Sequence, residues 1–136
     1  MDITQRELET CLADALEHLY DYSYLGVHRL AQLRSVSRLI VHDRTPLTHV
    51  DRGRAVSKTL QIAIAELKPQ DEPPTVGHET HFYAILHQEY CEGKENSAIA
   101  LDLSISERTF YRDRARALRC LARIVWEMEQ EAETAT

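Results

Sequence analysis

The sequence predicts an all-α protein, and three observations carry that prediction. Glycine and proline are scarce, four of each in 136 residues, while Ala, Leu, Arg and Glu abound, which favours helices over a turn-rich β architecture. Apolar residues recur at spacings of three and four. Threonine and serine stand where helices in that phase would start.

Taken in order, Leu8, Cys11, Leu12, Ala15, Leu16 and Leu19 define a first amphipathic helix over 4–20, which the cluster Tyr20, Tyr22, Tyr24 and then Gly26 breaks. These tyrosines are expected to pack and hydrogen-bond at the helix end. Leu30, Leu33, Leu39 and Ile40 suggest a second helix ending near "VHDRT". Thr45 followed by Pro46 fits an N-cap and first-turn proline for a third helix with Leu47, Val50, Val56, Leu60, Ala63, Ile64 and Leu67 on one face, stopping before Pro69. "KPQDEPPTVGHET" holds three of the four prolines and a glycine and marks a linker. The expected division is therefore a helical region over 1–68 for dimerisation or partner binding, a linker over 69–80, and a second domain over 81–136.

Beyond the linker, "HFYAILHQEYCEG" places Phe82, Ile85, Leu86 and Tyr90 inward and closes on Gly93 as a C-terminal cap. "ENSAIALDL" spans about two turns, "SIS" is a tight connection, and Ser106 stands at the N-cap of a last helix running from Glu107 to about Glu131. A short helix, a tight turn, a capping serine and a long helix follow the grammar of a helix-turn-helix, with Ile99, Ala100, Leu103, Ile105 and Phe110 sealing the two helices together.

Composition excludes several function classes. No apolar run approaches the ~18–20 residues of a membrane span, and the acidic, amphipathic N-terminus does not resemble a signal peptide. Three cysteines, Cys11, Cys91 and Cys120, with no CxxC pair, suit reduced thiols and a cytoplasmic location. No Gly-rich phosphate loop, HExxH or GxSxG is present, so neither an enzyme nor a cofactor is expected. His78, His81, His87 and Cys91 match no structural zinc spacing, and no metal is expected.

Charge is segregated along the chain. The formal net charge is −6, yet "SISERTFYRDRARALRCLAR" carries six arginines against two acids, and residues 23–68 hold eight bases against three acids. On a helical wheel Phe110, Ala117, Leu121 and Met128 share one direction. Arg108, Arg112, Arg116, Arg119 and Arg123 lie almost opposite, spaced four, four, three and four, in a row ~22 Å long. Like charges at i,i+4 destabilise a helix by roughly 0.2–0.5 kcal/mol per pair, and a solvated face would usually interleave Glu with Arg. The compensating partner is expected to be double-stranded DNA. Helix-turn-helix docking sets the first turns of the second helix in the major groove, so Arg108, Tyr111 and Arg112 would meet base edges. Ser106 and Thr109 could touch phosphate, Lys94, Asn96 and Ser97 would make backbone contacts, and Arg116 and Arg119 would face phosphate farther along.

Residues "ILHQEYCEGKENSAIALDLSISERTFYRDRARALRCL" resemble the C-terminal promoter-recognition domain of bacterial sigma factors and related phage and bacterial transcriptional regulators. The resemblance rests on Tyr90 and Gly93, then Ile99, Ala100, Leu103, Ile105, Ser106, Thr109 and Phe110, and covers about residues 79–123. Gln88 and Glu89 stand where the family often has Leu-Arg, Phe110 replaces a smaller aliphatic, and nothing in the N-terminal half resembles the core-polymerase-binding or promoter-melting regions of a complete sigma factor. The resemblance implies a regulator that uses the same DNA-reading module. A homodimer is expected as the common solution for such readers, with Leu121, Ile124, Val125 and Met128 to be covered by the N-terminal helices or by a second copy. Residues 127–136, rich in Glu at a helix C-terminus, are expected either to fray or to contact a basic neighbour within 29–54. The rival readings are a helical adaptor that binds protein as part of a larger assembly, with the arginine row solvated or paired to the acidic first helix, and a phage-type packaging or recombination component.

Overall fold

The computed structural model describes residues 3–40, 48–68 and 80–134, and among them every regular element is helical. Helix α1 (Gln5–Leu16) starts at Thr4, whose Oγ1 accepts from Glu7 N at 3.1 Å. It ends four residues before the expected Tyr20, because the bonds His18 N to Ala15 O and Asp21 N to His18 O tighten the chain into turns. Helix α2 (Tyr22–Gly26) is capped by Asp21. The single helix expected across 30–40 is instead a 3₁₀ turn (Arg29–Gln32) and the one-turn helix α3 (Arg34–Ser37), split at Leu33, whose ψ of 142° is extended.

Helix α4 (His49–Ala65) begins at Thr48, not at Thr45; Thr45 and Pro46 lie outside the described residues. Thr48 and Asp51 form a reciprocal capping box, with Asp51 Oδ2 accepting from Thr48 N at 3.0 Å and Thr48 Oγ1 accepting from Asp51 N at 3.3 Å. The expected linker over 69–80 falls outside the described residues except for Thr80, which opens α5 (Thr80–Leu86). The chain continues from α5 as a widened π turn (His87–Cys91) and leaves it at Gly93, whose φ of +73° supplies the left-handed cap that glycine adopts without strain. Helix α6 (Asn96–Asp102) follows, and α7 (Glu107–Thr134) runs for 28 residues.

Buried residues from both sides of the linker belong to one cluster: Leu8, Leu12 and Leu16 of α1 and Leu60 and Ile64 of α4 join Ile85, Ile99, Phe110 and Leu121. The segments 1–68 and 81–136 thus share a core. Helix α7 packs along α1, α3 and α5, and this explains its length. Its first turns complete the packing of α5 and α6, and its later turns bury Leu121, Ala122, Val125 and Ala132, with Ile124, Trp126 and Met128 partly covered. Of the four residues expected to be covered by the N-terminal helices or by a second copy, Leu121 and Val125 are buried within this chain and Ile124 and Met128 partly so.

The C-terminal end of α7 is docked. Glu129 is buried, and its two carboxylate oxygens accept from Arg34 N and Ser35 N, each at 3.0 Å. A carboxylate from the far end of the chain therefore satisfies donors that the first turn of α3 leaves open. Of the two outcomes expected for 127–136, contact within 29–54 is the one observed, through the backbone of Arg34 and Ser35. Replacing Glu129 with alanine would take the acceptor from the buried Ser35 N–H and the part-buried Arg34 N–H, at about 1–3 kcal/mol. The expected result is an unfolding free energy, from urea titration, lowered by that amount, with α7 still helical by circular dichroism.

Candidate nucleic-acid interface

The turn between α6 and α7 is short and tightly bonded. Ile105 N donates to Ala100 O at 3.0 Å and Ser104 N to Leu101 O at 3.1 Å, with Ser104 in the left-handed region at φ 57°. Ser106 caps α7, its Oγ accepting from Thr109 N at 3.1 Å and donating to Thr109 Oγ1 at 3.0 Å. Ile99, Ala100 and Phe110 are buried beneath the turn, and Leu103 and Ile105 are half-buried against them. This packing fixes how the first turns of α7 are presented, and Glu107, Arg108, Tyr111 and Arg112 there are exposed.

All five arginines of the row, Arg108, Arg112, Arg116, Arg119 and Arg123, are exposed, opposite the buried face formed by Phe110, Ala117 and Leu121. Arg112 has a carboxylate at hand: its Nε lies 3.7 Å from Oδ1 of the fully buried Asp113. Arg119 Nε donates to Ala115 O of its own helix at 3.5 Å. Among the described residues the acidic first helix takes none of the row, since Glu7 pairs with Arg29 at 3.2 Å and Asp14 with His28 at 2.9 Å.

The remaining residues of the expected site differ in how committed they are. Lys94 Nζ stands 3.8 Å from Glu92 and 3.4 Å from Asp102, so two carboxylates already share its charge. Ser97 is exposed, and Thr109 is half-buried. Asn96 Nδ2 donates to Tyr111 Oη at 3.3 Å, which joins the start of α6 to the second turn of α7. Lys94, Asn96 and Ser97 thus lie beside the first turns of α7, whereas Arg116 and Arg119 lie one to two turns farther along.

Sequence reasoning missed two residues behind this surface. Arg114 sits off the row and turns inward, its Nη1 2.7 Å from Glu89 Oε1, with its guanidinium 5.1 Å from the Tyr111 ring centre and 5.6 Å from that of Phe110. Burial pushes the Glu89 carboxyl up, and the nearby Arg114 charge and hydrogen bond offset this in part. The signal was present in the sequence, because Glu89 marks a departure from the family pattern and Arg114 departs from the spacing of the row.

Burial also pushes the Tyr90 phenol up to about 12, helped by the Glu89 charge. The folded state therefore holds the proton more tightly than the unfolded chain, where tyrosine titrates near ~10. The resulting stability is fully present below pH ~10 and is lost as pH rises through about 12. Tyr90→Phe should flatten the alkaline limb of a stability-versus-pH curve between those values and leave the curve near neutrality parallel to wild type.

The tyrosines after α1 hold the fold together. Tyr20 Oη donates to Cys91 O at 3.0 Å and Tyr24 Oη to Asp14 Oδ2 at 2.7 Å, and the Tyr22 ring lies 5.3 Å from the Arg54 guanidinium. Among the described residues no cluster of His, Cys, Asp and Glu is arranged to hold a metal ion, and no helix is long and apolar enough to cross a membrane. No family model, no curated protein and no solved structure gives a significant match to this chain.

Proposed function

We propose that this chain is a sequence-specific binder of double-stranded DNA, a transcriptional regulator in which α6, the turn and α7 act as a helix-turn-helix. The observation that supports this most is the exposed arginine row on α7, with no acidic residue interleaved and its back to a fully packed face. Such a row carries like-charge repulsion along its own helix, which a phosphate backbone relieves through counterion release. Arg108, Tyr111 and Arg112 would enter the major groove, with Arg suited to a bidentate contact on guanine. Ser106, Thr109, Lys94, Asn96 and Ser97 would position the module on the backbone, Lys94 weakly because it is already paired. A homodimer belongs to this proposal as the usual arrangement of such readers, and its mark would be a palindromic consensus.

Selection of bound sequences from a random duplex pool tests the reading. Arg112→Ala should relax preference at one base pair and cost ~1–3 kcal/mol on the selected site. Arg119→Ala should weaken all sequences alike and lower the salt slope by about 1. A failure to bind duplex DNA at low salt would transfer support to the adaptor reading. That reading has one observation of its own: Leu101, on α6, is 81% exposed, a large apolar side chain presented to solvent beside the same turn.

A further inference from the structure

We infer that the Glu89–Arg114 ion pair is a positioning device for Tyr111, and that the Tyr111 hydroxyl decides the identity of one base pair. The inference rests on the DNA-binding reading above and names the part of that surface that sets its specificity.

Three contacts hold Tyr111. Its ring meets the buried Phe110 edge-on, at 5.4 Å between centres. The Arg114 guanidinium lies 5.1 Å from the ring centre, within the range of a cation–π contact. Asn96 donates to its hydroxyl oxygen at 3.3 Å. Even so, the residue is 46% exposed. An oxygen that accepts from Asn96 keeps its own hydrogen to donate, and the acceptors that face the major groove are guanine O6 and N7, adenine N7 and thymine O4. Donating that hydrogen, the hydroxyl favours guanine, adenine or thymine over cytosine at one position.

Arg114 can hold that ring only because it is held itself. Its side chain is 28% exposed and that of Glu89 is 14% exposed, and the pair closes at 2.7 Å between the π turn and α7. Buried ion pairs contribute little net stability, since desolvation consumes most of the attraction, and the upward push of burial on Glu89 reflects that cost. What the pair does supply is a fixed plane for the guanidinium. Lysine would keep the charge and lose the planar fork. Unlike the arginines of the row, Arg114 would not touch DNA, so its removal should leave phosphate contacts intact.

The test compares wild type with Tyr111→Phe, Arg114→Lys and Glu89→Gln by selection from a random duplex pool, followed by affinity measurements across salt concentrations on the wild-type consensus and on a scrambled duplex. Tyr111→Phe keeps the ring and should lose preference at one position, with discrimination there falling roughly fivefold to tenfold and the salt slope, set by phosphate contacts, held. Arg114→Lys and Glu89→Gln should flatten the same position and no other, again with the salt slope held. A Tyr111→Phe consensus identical to wild type overturns the inference outright. If Tyr111→Phe flattens a position that folded Arg114→Lys or Glu89→Gln leaves sharp, the positioning role is overturned; the two variants are made so that either can decide it. Absence of any DNA binding by wild type would instead overturn the reading on which the inference rests.

Discussion

Alanine at Arg116 and Arg119 together should lower affinity for any duplex by roughly one to two orders of magnitude near 0.1 M salt, with no loss of fold. Each neutralised phosphate adds ~0.9 to the slope of log affinity against log salt, so two lost contacts should reduce that slope by about 1.8. Extrapolated from 1 M salt, the same change amounts to a factor of about 60 at 0.1 M. These two residues are chosen because they are exposed and expected at phosphate, whereas Arg108 and Arg112 are assigned to base edges. Their removal relieves like-charge neighbours along α7, each worth roughly 0.2–0.5 kcal/mol, and alanine is the better helix former. Melting temperature should hold or rise slightly while DNA affinity collapses. A merely solvated arginine face would give the first result without the second.

Gly53→Ala should be strongly destabilising for the addition of a single methyl, and Gly26→Ala equally so. A Cβ at Gly53 would lie 1.8 Å from the carbonyl oxygen of Tyr22, and a Cβ at Gly26 would lie 1.7 Å from that of His49. The two glycines mark a reciprocal crossing at which α2 and α4 meet backbone to backbone. No rotamer change relieves either clash, because the atoms struck are main chain. The helices would have to separate, and separation would open the packing between α2 and α4, on which Leu25, Val56 and Leu60 are all buried. The expected cost is at or beyond the upper end of the ~1–3 kcal/mol typical of overpacking, equivalent to a fall of about 10 °C or more in melting temperature for a chain of this size. Alanine's better helix propensity, about 1 kcal/mol, would offset only part of it. Differential scanning calorimetry on Gly53→Ala and Gly26→Ala gives the comparison, and the two should fall together because they separate the same pair of helices.

The helical character of the chain was open to reading because it depends on local spacing. Thr4 and Ser106 cap where polar side chains precede an apolar period, and Gly93 ends its helix with the positive φ that glycine adopts freely. The arginine row was legible for the same reason, since a spacing of four, four, three and four fixes one face of any helix. What the sequence concealed depends on contacts distant along the chain. Residues 29–37 carry apolar side chains at plausible spacing, yet they split into a 3₁₀ turn and α3 because His28 Nδ1 accepts from Leu30 N at one end and Glu129, more than ninety residues away, receives the N–H groups of Arg34 and Ser35. A buried carboxylate that caps a remote helix leaves no periodic trace. Nor does the Gly26–Gly53 crossing, where two isolated glycines have meaning only as a pair.

The same distinction applies at the candidate interface. Arg108 and Arg112 could be placed on an outer face from their numbers alone, whereas the inward turn of Arg114 requires Glu89, on a different helix, to be 2.7 Å away. The tail of α7 shows a further case. Its glutamates looked ill-placed at a helix C-terminus, and Glu129 proves to serve another helix's N-terminus, where its charge is favourable.

Nuclear magnetic resonance titration of isotope-labelled protein with a duplex chosen from the random pool tests the central claim most directly. Amide shifts should concentrate at the start of α6, the turn at 103–106 and α7 from Glu107 to Arg119, and should fade as salt is raised. Shifts confined to residues 3–68, or none at all at low salt, would contradict the assignment of α7 to DNA.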